Sequence, residues 1–142
     1  MSSRNVETFR AAHDAFNRRD FDGVANVLSD QFIYDDRARG TTFKGRTGFK
    51  EFMQAWVTAF SDAAVTEPTY IDGGDIVVAT FLGTGTNDGR FGDAPATGKR
   101  MALPFCEIMR FDAAGRIQSG GIYYDQLSML TQLGIASPAL AR

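Results

Sequence analysis

The chain has 142 residues, 44% hydrophobic and 23% charged. That length suits one compact domain with a proper core, and those proportions exclude disordered and fibrous classes. Fifteen Lys and Arg against 17 Asp and Glu leave a net charge of −2, with no basic excess to attract nucleic acid or an anionic membrane. One Cys and one His exclude an internal disulfide and Cys- or His-rich zinc sites, and a reducing, cytoplasmic setting is expected. Met1 to Glu7 lacks the apolar stretch of a signal peptide, and no apolar run approaches the roughly 20 residues of a spanning helix. A single domain over 1–142 is expected, with its core at about 4–134 and a tail over 135–142.

Val6, Phe9, His13 and Phe16 recur at helical spacing and predict an amphipathic first helix. Asp20 then caps a short second helix that packs Phe21, Val24, Val27 and Leu28. Gln31 to Asp36 reads as a strand, and Gly40 to Gly48 as a polar, glycine-bearing connection. Phe49, Phe52, Met53, Trp56 and Phe60 form an aromatic helical stripe. Beyond it, Gly and Asp punctuation separates long strands at Val65 to Ile71, Ile76 to Thr86, Lys99 to Phe111 and Arg116 to Tyr124, the last two joined by a tight hairpin. Leu127, Leu130 and Leu133 before Gly134 predict a short terminal helix with a glycine stop.

Helices first and strands afterwards give an α+β fold with a mostly antiparallel sheet. Ile76, Val78 and Leu82 lie on one strand face and Val77, Ala79 and Phe81 on the other, so both faces of the sheet need cover. A single helix layer covers one face, which leaves the other for a second subunit and predicts a homodimer through the sheet. Twelve Phe residues in so small a domain are enough to line an apolar pocket for a small hydrophobic molecule.

Gly83 to Gly89 resembles a dinucleotide loop, but its third glycine falls one residue late and no helix follows. Walker loops, a nucleophile elbow, His-Glu-x-x-His, paired Cys motifs and an EF-hand loop are missing, so no cofactor and no metal are expected. Cys106 in its apolar strand reads as a buried thiol rather than a nucleophile paired with His13.

Asn17-Arg18-Arg19-Asp20-Phe21-Asp22-Gly23-Val24 followed by Phe32-Ile33-Tyr34-Asp35-Asp36 resembles the nuclear-transport-factor-like superfamily, which includes ketosteroid isomerases and SnoaL-type polyketide cyclases. Gly115-Arg116-Ile117, Tyr123-Tyr124-Asp125-Gln126 and Leu130-Thr131-Gln132-Leu133-Gly134 are similar to the SnoaL-like branch. The resemblance, over about Val6 to Gly134, implies a cone of helices closed by a curved sheet around a pocket, dimerised through the sheet. It also implies a cofactor-free cyclase or isomerase (isomerase or lyase chemistry) acting on a small hydrophobic carbonyl compound. A noncatalytic ligand-binding or dimerisation module of the same fold is the alternative.

The resemblance sets Asp125 where the cyclases place their acid/base aspartate and Asp36 where the isomerases place their base. Ala12, with His13 beside it, stands in place of the isomerase tyrosine on the first helix, and Arg100-Met101-Ala102 lacks the second carboxylate of the limonene epoxide hydrolases. Asp125 is equally an N-cap for the helix it precedes, Asp36 a surface ion-pair partner, and His13 a satisfied core histidine. Strand alternation puts Gly121, Tyr123 and Asp125 on one face, so Tyr123 shares the pocket if Asp125 points inward. Glu107 interrupts an apolar face of Phe105, Met109 and Phe111, as pocket chemistry or an interface pair. Asp125, Asp36 and His13 are therefore the candidate catalytic residues. Tyr34, Trp56, Phe60, Phe105, Glu107 and Tyr123 are the candidate substrate contacts.

Overall fold

A computed structural model describes residues 3–136. Most of the expected tail, from 137 onward, lies outside the described residues. The first helix, α1 (Arg4–Asn17), starts where Ser3 accepts the Val6 N–H, and it buries Val6, Phe9, Ala12, His13 and Ala15. Asp20 caps α2 (Phe21–Ala25) through the Gly23 N–H, as its position predicts, but that helix stops early and Leu28 opens a strand instead. The helix α3 (Gly45–Ala59) turns Phe49, Phe52, Met53 and Trp56 to the interior. The terminal α4 (Gln126–Gln132) ends before Gly134, whose φ of 75° is the left-handed stop that glycine supplies without strain.

Six strands make one curved, open sheet: β1 (Leu28–Asp36), β2 (Thr41–Lys44), β3 (Ala64–Asp72), β4 (Ile76–Thr86), β5 (Arg100–Phe111) and β6 (Ile117–Tyr124). Their order is β2-β1-β6-β5-β4-β3, antiparallel except where β1 runs parallel to β6. β2 occupies part of the Gly40 to Gly48 segment expected as a connection, where Thr41 and Thr42 pair back onto Asp36 and Asp35. Register shifts between Leu28 and Ile33, Thr66 and Thr69, and Arg110 and Phe111 insert extra residues that bend the strands, and the sheet wraps around the helices. The inner face carries Val77, Ala79, Phe81, Met101, Leu103, Phe105, Glu107 and Met109. Ile71 and Tyr123 are exposed on the chain's surface. No helix among the described residues is long and apolar enough to cross a membrane.

Between β4 and β5 the chain makes a long excursion, residues 87–99, whose Phe91 packs against Trp56 and Phe60. Asn87 holds it. Its fully buried amide donates to the carbonyls of Ala59 (3.0 Å) and Gly89 (2.9 Å) and accepts from the backbone and hydroxyl of Thr97 (both 2.9 Å). Asn87→Ala strands these partners out of water and should cost about 1–3 kcal/mol in urea denaturation. Unchanged stability would mean that the excursion is held elsewhere.

Candidate functional site

Four polar side chains from four elements meet inside the cone. Glu107, on β5, is 5% exposed and sits among apolar neighbours. Its Oε1 lies 2.7 Å from His13 Nε2 on α1, and its Oε2 accepts the hydroxyl of Tyr34 on β1. The other ring nitrogen of His13, Nδ1, lies 2.7 Å from the hydroxyl of Tyr70 on β3. With the carboxylate ionised, which only accepts, and the ring neutral, Nε2–H donates to Glu107 and Nδ1 accepts from Tyr70. Burial, then the charge of Glu107, pushes the Tyr34 phenol well above its ordinary value. Burial likewise raises Tyr70, against the opposing pull of Arg10. Both phenols therefore keep their protons and can donate.

Local sequence makes this meeting possible. Tyr34 is separated from β5 by β6 and reaches Glu107 across Gly120, its pairing partner. A Cβ at Gly120 would stand 2.3 Å from Met109 Sδ, 3.0 Å from the Ile108 carbonyl oxygen and 3.3 Å from the Tyr34 ring, so a side chain there would crowd the phenol's path and glycine leaves it clear. The rings of Phe9 and Phe81, with centroids 4.7 and 5.1 Å from the imidazole, fix the orientation of His13.

His13 and Glu107 are the titratable side chains on the wall of a cavity of about 90 Å³, with Thr84 the other polar residue there. The rest of the wall is mainly apolar and includes Phe9, Phe52, Met53, Trp56, Phe81, Met101 and Phe105. Benzene occupies an apolar cavity of about 150 Å³ in an engineered protein, so this chamber admits a molecule of a few heavy atoms. A larger ligand has to displace side chains, and Met53, Met101 and Met109 are the flexible parts of the wall.

The other expected site residues lie elsewhere. Asp36 is fully buried rather than solvated, but it is off the cavity wall at the end of β1. It accepts from the backbone and Nε of Arg39 (3.1 and 2.9 Å) and from the Tyr124 hydroxyl (3.0 Å). Asp125 does not point inward: it is exposed and caps α4, accepting from the N–H (3.2 Å) and hydroxyl (2.8 Å) of Ser128. Those bonds hold its carboxyl below the ordinary aspartate range. Tyr123, 45% exposed, follows it to the outside because β6 turns that face away from the helices. Phe60 is fully buried beside Gly85 and off the cavity wall, whereas Trp56 and Phe105 line the cavity. Among the described residues, no three His, Cys, Asp or Glu side chains gather as a metal site.

Sequence reasoning missed Tyr70, Arg39 and Tyr124. The register shift between Thr66 and Thr69, with Glu67 at φ 52°, resets which face of β3 each residue takes, so simple alternation does not place Tyr70.

The family model for SnoaL-like polyketide cyclases matches residues 6–133, and the chain belongs to that family. No curated protein matches the sequence. A proposed SnoaL-like polyketide cyclase from Jannaschia sp. CCS1 superposes with a TM-score of 0.85 at 22% identity, covering 95% of this chain and 94% of that one. A proposed polyketide cyclase from Xanthomonas campestris pv. campestris gives 0.82 at 23% identity, with 92% and 96% covered. A Catenulispora acidiphila protein with a ketosteroid isomerase-like fold, in complex with trimethylamine, gives 0.79 at 22% identity, with 92% and 94% covered. Likenesses at this identity establish the cone fold and leave the chemistry to the site.

Tyr34→Phe removes one of the two donors to the Glu107 carboxylate and should lower stability by about 1–3 kcal/mol in urea denaturation. Asp125→Asn, which keeps a capping oxygen at an exposed position, should leave the denaturation midpoint close to wild type. The reverse ranking would show that Glu107 is not anchored by Tyr34.

Proposed function

We propose that this protein is a cofactor-free acid/base enzyme acting on a small hydrophobic carbonyl compound, with the Glu107–His13 pair as its proton-transfer unit. The observation that carries the reading is a carboxylate and an imidazole in hydrogen-bond contact on the wall of an otherwise largely apolar cavity. General acid/base catalysis needs a group able to take and return a proton at the reacting carbon, in surroundings that keep water from competing.

Each oxygen of Glu107 has a lone pair beyond the one used by His13 or Tyr34. In the proposed step that lone pair takes the proton from a carbon next to the carbonyl, and the C–H electron pair becomes the enolate π bond. Returning the proton at another carbon is an isomerisation, and attack of the enolate on a second carbonyl of the same molecule is a cyclisation. His13 Nε2–H remains beside the carboxyl group throughout and limits its rotation. Asp36, locked to Arg39, and Asp125, on the outside, are left to structure in this reading. A second copy is the occupant we assign to the outer face of the sheet, where Ile71 and Tyr123 are exposed and Val78 and Ile108 half-buried.

Hydrogen–deuterium exchange into a panel of small ketones and 1,3-diketones in D2O, followed by NMR, tests this without knowledge of the natural substrate. Wild type should accelerate exchange into at least one compound, and Glu107→Gln should lose about 100-fold or more of that acceleration. Binding without exchange would favour the noncatalytic alternative. Exchange undiminished in Glu107→Gln would remove Glu107 from the chemistry.

A further inference from the structure

The pair on the cavity wall has to gain and lose protons, yet its two side chains are nearly buried and most of the wall around them is apolar. We propose that the hydroxyl of Tyr70 is the route by which His13 exchanges its proton with solvent. This goes beyond the carbonyl-enzyme reading, because it concerns how the pair is charged and holds whatever the substrate.

Three observations support the route. First, Tyr70 is the neighbour of His13 on the side away from Glu107, its hydroxyl 2.7 Å from Nδ1 while Nε2 faces the carboxylate. Second, Tyr70 is half-buried and sits on β3, the edge strand of the sheet, whereas Tyr34 at the opposite end of the chain of bonds is fully buried. The network is thus closed at the Tyr34 end and reaches the surface layer at the Tyr70 end. Third, charged side chains surround the outer phenol. Arg10 stacks over its ring with the guanidinium carbon 4.7 Å from the centroid, and Glu7 and Asp14 of the same helix bear on it, with Glu107 on the inner side. The phenol remains protonated, so its oxygen can accept one proton while its O–H gives up another.

The transfer balances without any further reactant. A hydronium ion in the bulk solvent gives its proton to the Tyr70 oxygen and is left as water, as the Tyr70 hydroxyl proton passes to His13 Nδ1, which leaves a neutral tyrosine and an imidazolium paired with Glu107. Passing the Nε2 proton on to Glu107 Oε1 then loads the carboxyl group and returns the ring to neutral as the other tautomer. The reverse sequence unloads it. Water need not enter the cavity at any step.

His13 is the one histidine of the sequence, so its ring-carbon proton resonances can be followed through a pH titration without assignment ambiguity. In wild type, exchange between the neutral and protonated ring, measured from line shapes and relaxation dispersion, should be fast. In Tyr70→Phe, with fold verified from the backbone amide spectrum, it should slow by about tenfold or more, since the path that remains runs through the mostly apolar cavity or a local fluctuation of its wall. Tyr34→Phe should leave it within about twofold of wild type, because that end of the network is closed. An unchanged or faster rate in Tyr70→Phe, equal slowing in Tyr34→Phe, or a ring that takes up no proton in wild type would each overturn the proposal. No substrate is used, so the route can fail while catalysis stands, and catalysis can fail while the route stands.

Discussion

A carboxylate buried in an apolar interior must have its charge offset and its oxygens hydrogen-bonded, and in this protein that requirement falls on Glu107. One oxygen takes the imidazole N–H of His13 and the other the phenol O–H of Tyr34. The two donors come from α1 and β1, His13 and Tyr34 lying 94 and 73 positions from Glu107 in sequence, so the bonds link the first helix and the first strand to the middle of the sheet. The nearby geometry follows from that need. Gly120 opens the path for Tyr34, Phe9 and Phe81 hold the imidazole, and Tyr70 satisfies its remaining nitrogen.

Two buried acids in one domain show how partners decide chemistry. Asp36 faces Arg39, a permanent cation that presents Nε and a backbone N–H to the same carboxylate and stacks on Trp56 and Phe91. That arrangement ties the end of β1 to its turn and has no exchangeable partner except Tyr124. Glu107 instead meets a histidine, whose two ring nitrogens can each hold or give up a proton, and a phenol. Burial alone does not separate the two, since Asp36 is the more enclosed. What separates them is the imidazole beside Glu107 and the cavity on whose wall both Glu107 and His13 lie.

Much of this was legible in the sequence. The helical spacing of Phe49, Met53 and Trp56, the Asp20 cap and the alternation along β5 all encode their local structure, and the SnoaL-like ending fixed the cone. Glu107 stood out as a carboxylate in an apolar face, and His13 as an imidazole on the buried side of a helix. Their contact was hidden because it crosses from helix to sheet, and its distance is set by sheet curvature that arises from three register shifts. Asp125 illustrates a different difficulty. An aspartate before a helix satisfies the capping pattern and the catalytic pattern equally, and the twist of β6 at Tyr123 chooses between them. β2 escaped notice because four residues beside Gly40 and Gly45 give too short a run for periodicity to register.

If the quartet of His13, Tyr34, Tyr70 and Glu107 exists for chemistry, the fold should not depend on it. Replacing a satisfied buried polar network with apolar side chains of similar volume is commonly neutral or stabilising, whereas breaking one partner is costly. The decisive measurement is the thermal and urea unfolding of the fourfold variant His13→Leu, Tyr34→Phe, Tyr70→Phe and Glu107→Met. It should unfold cooperatively at a stability within about 1 kcal/mol of wild type or above it. A variant that loses cooperative unfolding would show that these four side chains are retained to build the cone, and would contradict the account.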